Sequence, residues 1–439
     1  MRGASTGISV AFITMGCAKN EVDSARMADL LIDAGYDVHD DIERADAVIV
    51  NTCSFIQAAT EESIEAILDV ANLESVAQGR AKLVVSGCMP ARYGADLEDE
   101  LGEASAFVPC ADEGNIVQVM DKLFGIERVP EYDLEAGIAA SRTGDVSSYV
   151  KISDGCDRFC AYCTIPYIRG RYHSFSYDDI AVNVASLVDQ GIREIILIAQ
   201  DTGRWGTDLE VPSSLAKLMG SLAESHPDTW FRVMYIQPEG ITDELVEAVA
   251  THENICNYFD IPLQHCNPDI LKSMNRKGSG EEFLELLERI RTRIPDCTLR
   301  TTLIAGYPGE TDEQFEELCS FVEEAPLDYI GVFAYSREEG TRAFDLPGQV
   351  DEDEKAYRAQ TIRDLADAVC TARIAERVGS EADVLVCGTE EDGQLFGRTM
   401  SQAPDVDGVT YVDSGKPGEI VRVTIDGTLM YEMEGTCLH

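Results

Sequence analysis

Apolar and polar positions change rhythm three times along this chain. Up to about Phe124, short apolar runs at Ile8–Thr14, Ala45–Thr52, Ala81–Gly87 and around Ala106–Val108 alternate with stretches of helical periodicity such as 21–35 and 60–72. Strands spaced by helices predict βαβ units around a parallel sheet. From Tyr149 to Arg373 the rhythm repeats through Tyr149–Ser153, Glu194–Gln200, Trp230–Ile236, Asn257–Leu263, Thr298–Gly306 and Tyr329–Ser336, with helical segments between. These repeats predict a partial (β/α)6 barrel, open at one side for a large substrate, with its chemistry at the carboxyl ends of the strands. Beyond Gly379 the helical period gives way to short alternating runs such as "VTYVD" and "EIVRVTIDG", bounded by Gly, Pro and Asp. That texture predicts a small antiparallel β-barrel of about five strands. The fold class is α/β, with domains expected at 1–130, 145–373 and 376–439 and a polar stretch, Pro130–Ser148, between the first two.

This layout gives the cysteines their meaning. Cys17, Cys53 and Cys88 each fall just past one of the first three strands, 36 and 35 residues apart. In an open parallel sheet those carboxyl ends share one edge, so the three thiols converge. Free cysteine is often a core residue, but the same placement after each strand sets these apart. Cys156, Cys160 and Cys163, in "SDGCDRFCAYC", follow the first barrel strand with the spacing C-x-x-x-C-x-x-C. Structural zinc wants four ligands, usually as two close pairs. Here the next cysteine is Cys256. A four-iron, four-sulfur cube fits better, and three thiolates leave one iron open for a substrate or cofactor.

Composition adds a charge constraint. With 80 acidic against 35 basic residues the net charge is −45. Such a surface repels phosphate backbones and attracts basic partners, unless it reflects a generally acidic proteome. No run approaches the roughly twenty apolar residues of a membrane span, and Ile8–Gly16 lacks a cleavage pattern. A cytoplasmic protein is expected, with its 14 cysteines reduced or metal-bound. No heptad or apolar patch argues for assembly, so a monomer is the default.

The C-x-x-x-C-x-x-C motif at the first strand of a partial barrel resembles the radical S-adenosylmethionine superfamily. The second trio, in "MGCAKNEVDS", "VNTCSFIQAA" and "VSGCMPARYG", resembles the methylthiotransferases of that superfamily. "IPYIRGRYHS", "DIPLQHCNPDILKSMNR", "IAGYPGET" and "FAYSREEGT" extend the likeness, and the last domain resembles the TRAM domain of these enzymes. The resemblance implies two 4Fe–4S clusters and S-adenosylmethionine. One cluster, on Cys156, Cys160 and Cys163, cleaves the cofactor to a radical. The other, on Cys17, Cys53 and Cys88, holds the sulfur to be transferred. It further implies cofactor contacts at Tyr162, Gln200, Asp201, Gly306, Gly309 and Glu310, and substrate contacts at Arg169, Gln264 and His265. Read without it, Glu310 belongs to an ordinary βα turn, His265 is as easily structural, and Arg169 pairs with a carboxylate or lies at the surface. Cys110, Cys256, Cys297, Cys319, Cys370, Cys387 and Cys437 read as core or incidental, and Cys266 receives no role.

The family has two substrate classes, an adenosine near the anticodon of transfer RNA and an aspartate β-carbon on the twelfth protein of the small ribosomal subunit. "AQDTGRWGTDL", "MYIQPEGITDELVEAV" and "SQAPDVDGVTYV" resemble the ribosomal-protein class. From Glu376 to His439 there are 13 acidic and four basic residues, which suits a basic ribosomal protein better than a nucleic acid. A non-catalytic iron–sulfur redox protein is the rival from another class, but electron carriers ligate their clusters fully. The sulfur and electron donors are not legible in the sequence.

Overall fold

The pairs Val10–Ala11, Val48–Ile49 and Val84–Val85 send neighbouring side chains to opposite faces of one sheet. Val10, Ile49 and Val84 pack with Met27, Leu31, Ile116 and Met120 on one face, while Ala11, Val48 and Val85 pack with Ile67, Val70 and Met89 on the other. Both faces are thus covered by helices, as an all-parallel sheet requires. The structure is a computed structural model describing residues 5–127, 140–143 and 146–438. The polar stretch expected at 130–148 lies mostly outside the described residues. The sheet order is Asp37–Val38, Ser9–Thr14, Ala47–Thr52, Lys82–Gly87, Ala106–Pro109, with every pair parallel. Register is level at the carboxyl edge, where Thr52 pairs with Gly87 and Gly87 with Pro109.

Contacts gather the chain into two compact units. One comprises Met1–Ser141, Tyr149–Arg158 and Cys163–His173; the other comprises Arg142–Ser148, Phe159–Tyr162 and Ser174–His439. The terminal barrel therefore shares a unit with the central strands, and the Cys156–Cys163 segment is divided between the two.

The central strands form two sheets. One has the order Trp230–Val233, Glu194–Ile198, Ser147–Lys151, Ala140–Thr143, and the other Tyr258–Asp260, Thr298–Ala305, Tyr329–Ala334. A parallel bridge between Phe231 and Ile255 links them. The strands end one to three residues sooner than the apolar runs suggest, because the last apolar residues turn inward in the loops: Ile236 and Leu263 are fully buried. The helices beginning at Tyr177, Leu215, Asp243, Gly280, Asp312 and Glu352 follow successive strands. Each is capped by the side chain of the preceding Ser176, Ser214, Thr242, Ser279, Thr311 or Asp351. Such a cap contributes about 1 kcal/mol and fixes where each βα loop ends.

The terminal strands Glu381–Thr389, Leu395–Thr399, Thr410–Val412, Ile420–Leu429 and Glu432–Cys437 close into a barrel. Four ladders are antiparallel, while Thr410–Val412 runs parallel to Glu432–Cys437. An odd number of strands cannot alternate direction around a closed ring, so one parallel pair is unavoidable. Among the described residues, no helix is long and apolar enough to cross a membrane.

A buried charge network joins the barrel strands to this terminal ring. Glu194 accepts from Arg232 Nε at 2.8 Å, Arg398 Nη2 at 2.6 Å and Ser147 Oγ at 3.0 Å. Burial opposes ionisation, but the two guanidiniums prevail and lower the Glu194 carboxyl from 4.5 to about 2. Between those values the unfolded chain binds a proton that the folded chain refuses, so the contribution is present above pH 4.5 and lost as pH falls towards 2. Glu194→Gln should therefore flatten the fall in urea midpoint across that window, removing on the order of 3 kcal/mol of pH-dependent stability. An unchanged slope would count against the network.

Candidate iron–sulfur and cofactor sites

The level carboxyl edge of the first sheet brings its loop cysteines together. Cys53 directly follows Thr52 and Cys88 directly follows Gly87, while Cys17 opens the helix Ala18–Asp33 as its N-cap residue. Gly16, at φ +94°, allows this approach, since a Cβ there would stand 2.5 Å from the Cys53 Cβ. Asn20 stitches the edge. Its Nδ2 donates to the carbonyls of Met15 and Thr52 at 2.9 Å each, and the Cys88 thiol lies 3.7 Å from its Oδ1. Burial, with the charges of Cys88 and Cys17 adding to it, pushes the Cys53 thiol up to about 12. A cluster iron supplies the positive charge that such a buried thiol needs to ionise. All 14 cysteines are free. Among the described residues no three His, Cys, Asp or Glu groups are gathered for a single metal ion; a cube spreads its thiolates wider.

Cys110, expected to be incidental, stands at the same edge. It directly follows Pro109, and its Sγ lies 4.0 Å from that of Cys88. The hydrogen bond from Cys110, with Arg169 adding to it, holds the Cys88 thiol below its ordinary value, and donating that bond, with burial adding to it, keeps Cys110 well above. The strand around Ala106–Val108 was visible in the sequence, so "VPC" carried the same signal as the other three. Burial also pushes Cys256, Cys266, Cys297 and Cys370 up to about 12, but none of these four follows a strand of the first sheet.

Arg169 has a different setting from the substrate contact expected of it. Its side chain is buried, donating to Asp23 Oδ2 at 2.6 Å and Asn20 Oδ1 at 2.7 Å, with Cys88 Sγ at 3.8 Å. Lys151 reaches the other oxygen of Asp23 at 2.6 Å and Asp154 at 2.7 Å. Burial disfavours charge on Lys151, but Asp154 and Asp23 outweigh it and keep the ammonium above its ordinary value. Arg169 thus orients Asn20 and Cys88 from behind.

The second unit builds its own site at the carboxyl ends of the barrel strands. Segment 159–162, with Cys160 and Tyr162, is held by Ala161 N–H to the Met274 carbonyl at 2.8 Å and by Asn275 Nδ2 to the Phe159 carbonyl at 3.1 Å. Buried Arg276, which the sequence did not single out, donates to the Pro262 carbonyl at 2.6 Å and lies close enough to Tyr162 and Cys160 to feel their charges. Phe159, Tyr235, Gln264 and Asn275 all adopt positive φ, and such strain clusters at functional sites. Gln200 Oε1, Gln237 Oε1 and Tyr335 Oη are buried without partners. They sit at the ends of the second, third and sixth strands and suit a ligand as polar as S-adenosylmethionine. Gln237 and Tyr335 were missed as candidates, although "MYIQPEG" and "FAYSREEGT" both end strands.

The remaining expected residues are turned inward. Glu310 accepts from Gly306 N–H and Arg358 Nη1, each at 3.0 Å. Fully buried His265 brings its Nε2 to 3.4 Å from Glu310, long for a hydrogen bond. Burial raises the Glu310 carboxyl, yet His265 and Arg358 lower it overall. The Glu310 contacts shape the fifth-strand loop, where Gly306 at φ +74° is required because a Cβ would meet Lys355 at 2.4 Å. Gly309 lies in the same loop at φ +86°. Asp201 is buried beside Gln200 in the loop after the second strand, and Gln264 is largely buried at the end of the fourth.

Comparison with known proteins agrees with this anatomy. A model described as "Uncharacterized protein family UPF0004" matches residues 9–109, the Radical SAM superfamily matches 150–322, and the TRAM domain matches 378–438. The chain is 38% identical over 445 residues to the ribosomal protein uS12 methylthiotransferase RimO of Clostridioides difficile, covering 98% of this chain and 99% of that protein. It is 40% identical over 436 residues to RimO of Trichlorobacter lovleyi, covering 97% of each. Among solved structures, the radical S-adenosylmethionine methyltransferase TsrM from Kitasatospora setae superposes with a TM-score of 0.57 at 16% identity, covering 76% of each chain. OxsB, a cobalamin-dependent radical enzyme, gives 0.53 at 10% identity, covering 82% of this chain and 57% of its own. At those identities the likeness is one of fold.

Replacing Arg169 by Ala leaves Asp23 with Lys151 alone and frees Asn20. We expect the iron-free protein to lose on the order of 3 kcal/mol in urea unfolding. Lys should recover only part, because it lacks the planar fork. A loss within 0.5 kcal/mol, about the usual range for a surface substitution, would show that the pair does not orient the edge.

Proposed function

The chain belongs to the ribosomal protein uS12 methylthiotransferases, the RimO family of radical S-adenosylmethionine enzymes, and from that premise we propose that it attaches a methylthio group to the β-carbon of an aspartate in protein uS12. Two 4Fe–4S clusters and S-adenosylmethionine are its cofactors. Bound there, these groups supply a radical that removes a substrate hydrogen and the methylthio group that replaces it. In this reading Cys17, Cys53 and Cys88 ligate the auxiliary cluster, and Cys156, Cys160 and Cys163 ligate the other. Arg276 lies close to one ligand sulfur, and Gln200, Gln237 and Tyr335 offer polar partners to the cofactor. Arg169, donating towards the Cys88 sulfur, keeps it aimed across the sheet edge, and Asn20 ties the Met15 and Thr52 carbonyls together beside it.

The observation that carries the reading is the pairing of two cysteine trios, one beyond the parallel strands of the first sheet and one beyond the first barrel strand, in a chain alike to RimO from end to end. The substrate choice gains support from charge. The terminal segment from Glu376 has 13 acidic against four basic residues, a field that draws a basic protein and repels a nucleic acid. The reaction belongs in the cytoplasm with the ribosome, and a monomer suffices for it.

Mass spectrometry of uS12 peptides and digested transfer RNA from a strain lacking the gene tests the substrate. Loss of a methylthio mass from the aspartate peptide alone is expected; loss from transfer RNA alone would overturn the substrate assignment. Under anaerobic conditions, Cys156→Ala should abolish 5′-deoxyadenosine formation, and full activity in that variant would refute the ligand assignment.

A further inference from the structure

Resting on the reading that Cys17, Cys53 and Cys88 hold the auxiliary cluster, we infer that Cys110 is a positioning residue for it, its thiol donating a hydrogen bond to the Cys88 sulfur and holding the cluster's reduction potential up. The placement follows from backbone register. Gly87 and Pro109 pair directly on adjacent parallel strands, so the residues that follow them, Cys88 and Cys110, emerge side by side. Their sulfurs are 4.0 Å apart, within reach of an S–H···S hydrogen bond. Two thiolates on different irons of one cube would stand farther apart, so Cys110 acts through Cys88 and not on an iron of its own.

Cys110 opens a 3-10 turn, Cys110–Asn115, directly after Pro109. Its sulfur carries no iron in this reading, so it is the donor of the pair and the Cys88 sulfur is the acceptor. Arg169 Nη2, 3.8 Å from the same Cys88 sulfur, is a second donor. Hydrogen bonds to ligand sulfurs withdraw charge from the cluster and favour its reduced, more negative state, which is how proteins set iron–sulfur potentials. Two donors on one ligand make the Cys88 corner the electron-poor corner of the cluster.

The test uses the full chain carrying Cys156→Ala, Cys160→Ala and Cys163→Ala, so that only the auxiliary cluster is reconstituted, with about four irons per chain. Its midpoint potential is followed by electron paramagnetic resonance during a redox titration. Cys110→Ala should keep the iron and lower the reduction equilibrium about tenfold, roughly 59 mV for one electron. Cys110→Ser, whose hydroxyl also donates, should recover most of the shift. An unchanged potential in Cys110→Ala would overturn the inference while leaving the cluster reading intact. So would loss of iron from both variants with folding preserved, since that would make Cys110 a ligand. Absence of iron from the parent would sink the cluster reading and the inference with it.

Discussion

Everything at the two sites depends on strands running parallel. A parallel pair sends both chains off the same edge, and here each departure carries chemistry: Cys53, Cys88 and Cys110 each come one residue after a strand, with Gly87 paired to Thr52 on one side and Pro109 on the other. A one-residue slip in either ladder would turn a thiol to the opposite face. That slip is resisted by the burial of both sheet faces, where Val48, Ile49, Val84 and Val85 are fully enclosed. The hydrophobic core therefore sets the spacing of the sulfurs.

The second theme is where the cations go. A chain with 35 basic residues and a net charge of −45 commits several of them to its interior. Arg169 and Lys151 lie behind Cys88, Arg276 beside Cys160, and Arg232 and Arg398 on Glu194. Buried ion pairs are weak sources of stability, because desolvation consumes most of their attraction. Their value here is directional, since a guanidinium between Asp23, Asn20 and a sulfur has few other orientations. The surface left behind is the more acidic for it, which suits a basic protein substrate.

Strain and unpaired polar atoms mark the barrel end in a complementary way. Tyr235 and Gln264 are held at positive φ at the ends of adjacent strands, and three buried side-chain oxygens there have no partner. A folded protein bears such costs where a ligand repays them. Glu310 is the contrast: Gly306 and Arg358 satisfy it inside the protein, and its order shapes a loop instead of offering a free group.

The sequence by itself determined the α/β architecture and set apart two trios of cysteines that follow strands. Periodicity of two against three to four separates strand from helix locally, and cysteines repeated after successive strands need no coordinates to be placed on one edge. Capping by Ser176, Ser214, Thr242, Ser279, Thr311 and Asp351 is likewise local, each side chain meeting a backbone N–H in its own first turn. Only the tertiary structure decided which side chains meet across the chain. Arg169 reads equally as substrate contact, surface residue or ion-pair partner until Asp23, 146 residues away, is seen to receive it. Cys110 follows its strand as the other three do, but only register shows that its neighbour is Cys88, and the parallel pair in the terminal barrel appears only on counting strands around a closed ring. Local pattern fixes the elements because propensity and periodicity act over a few residues; partners distant in sequence are fixed by register and packing, which no single segment encodes.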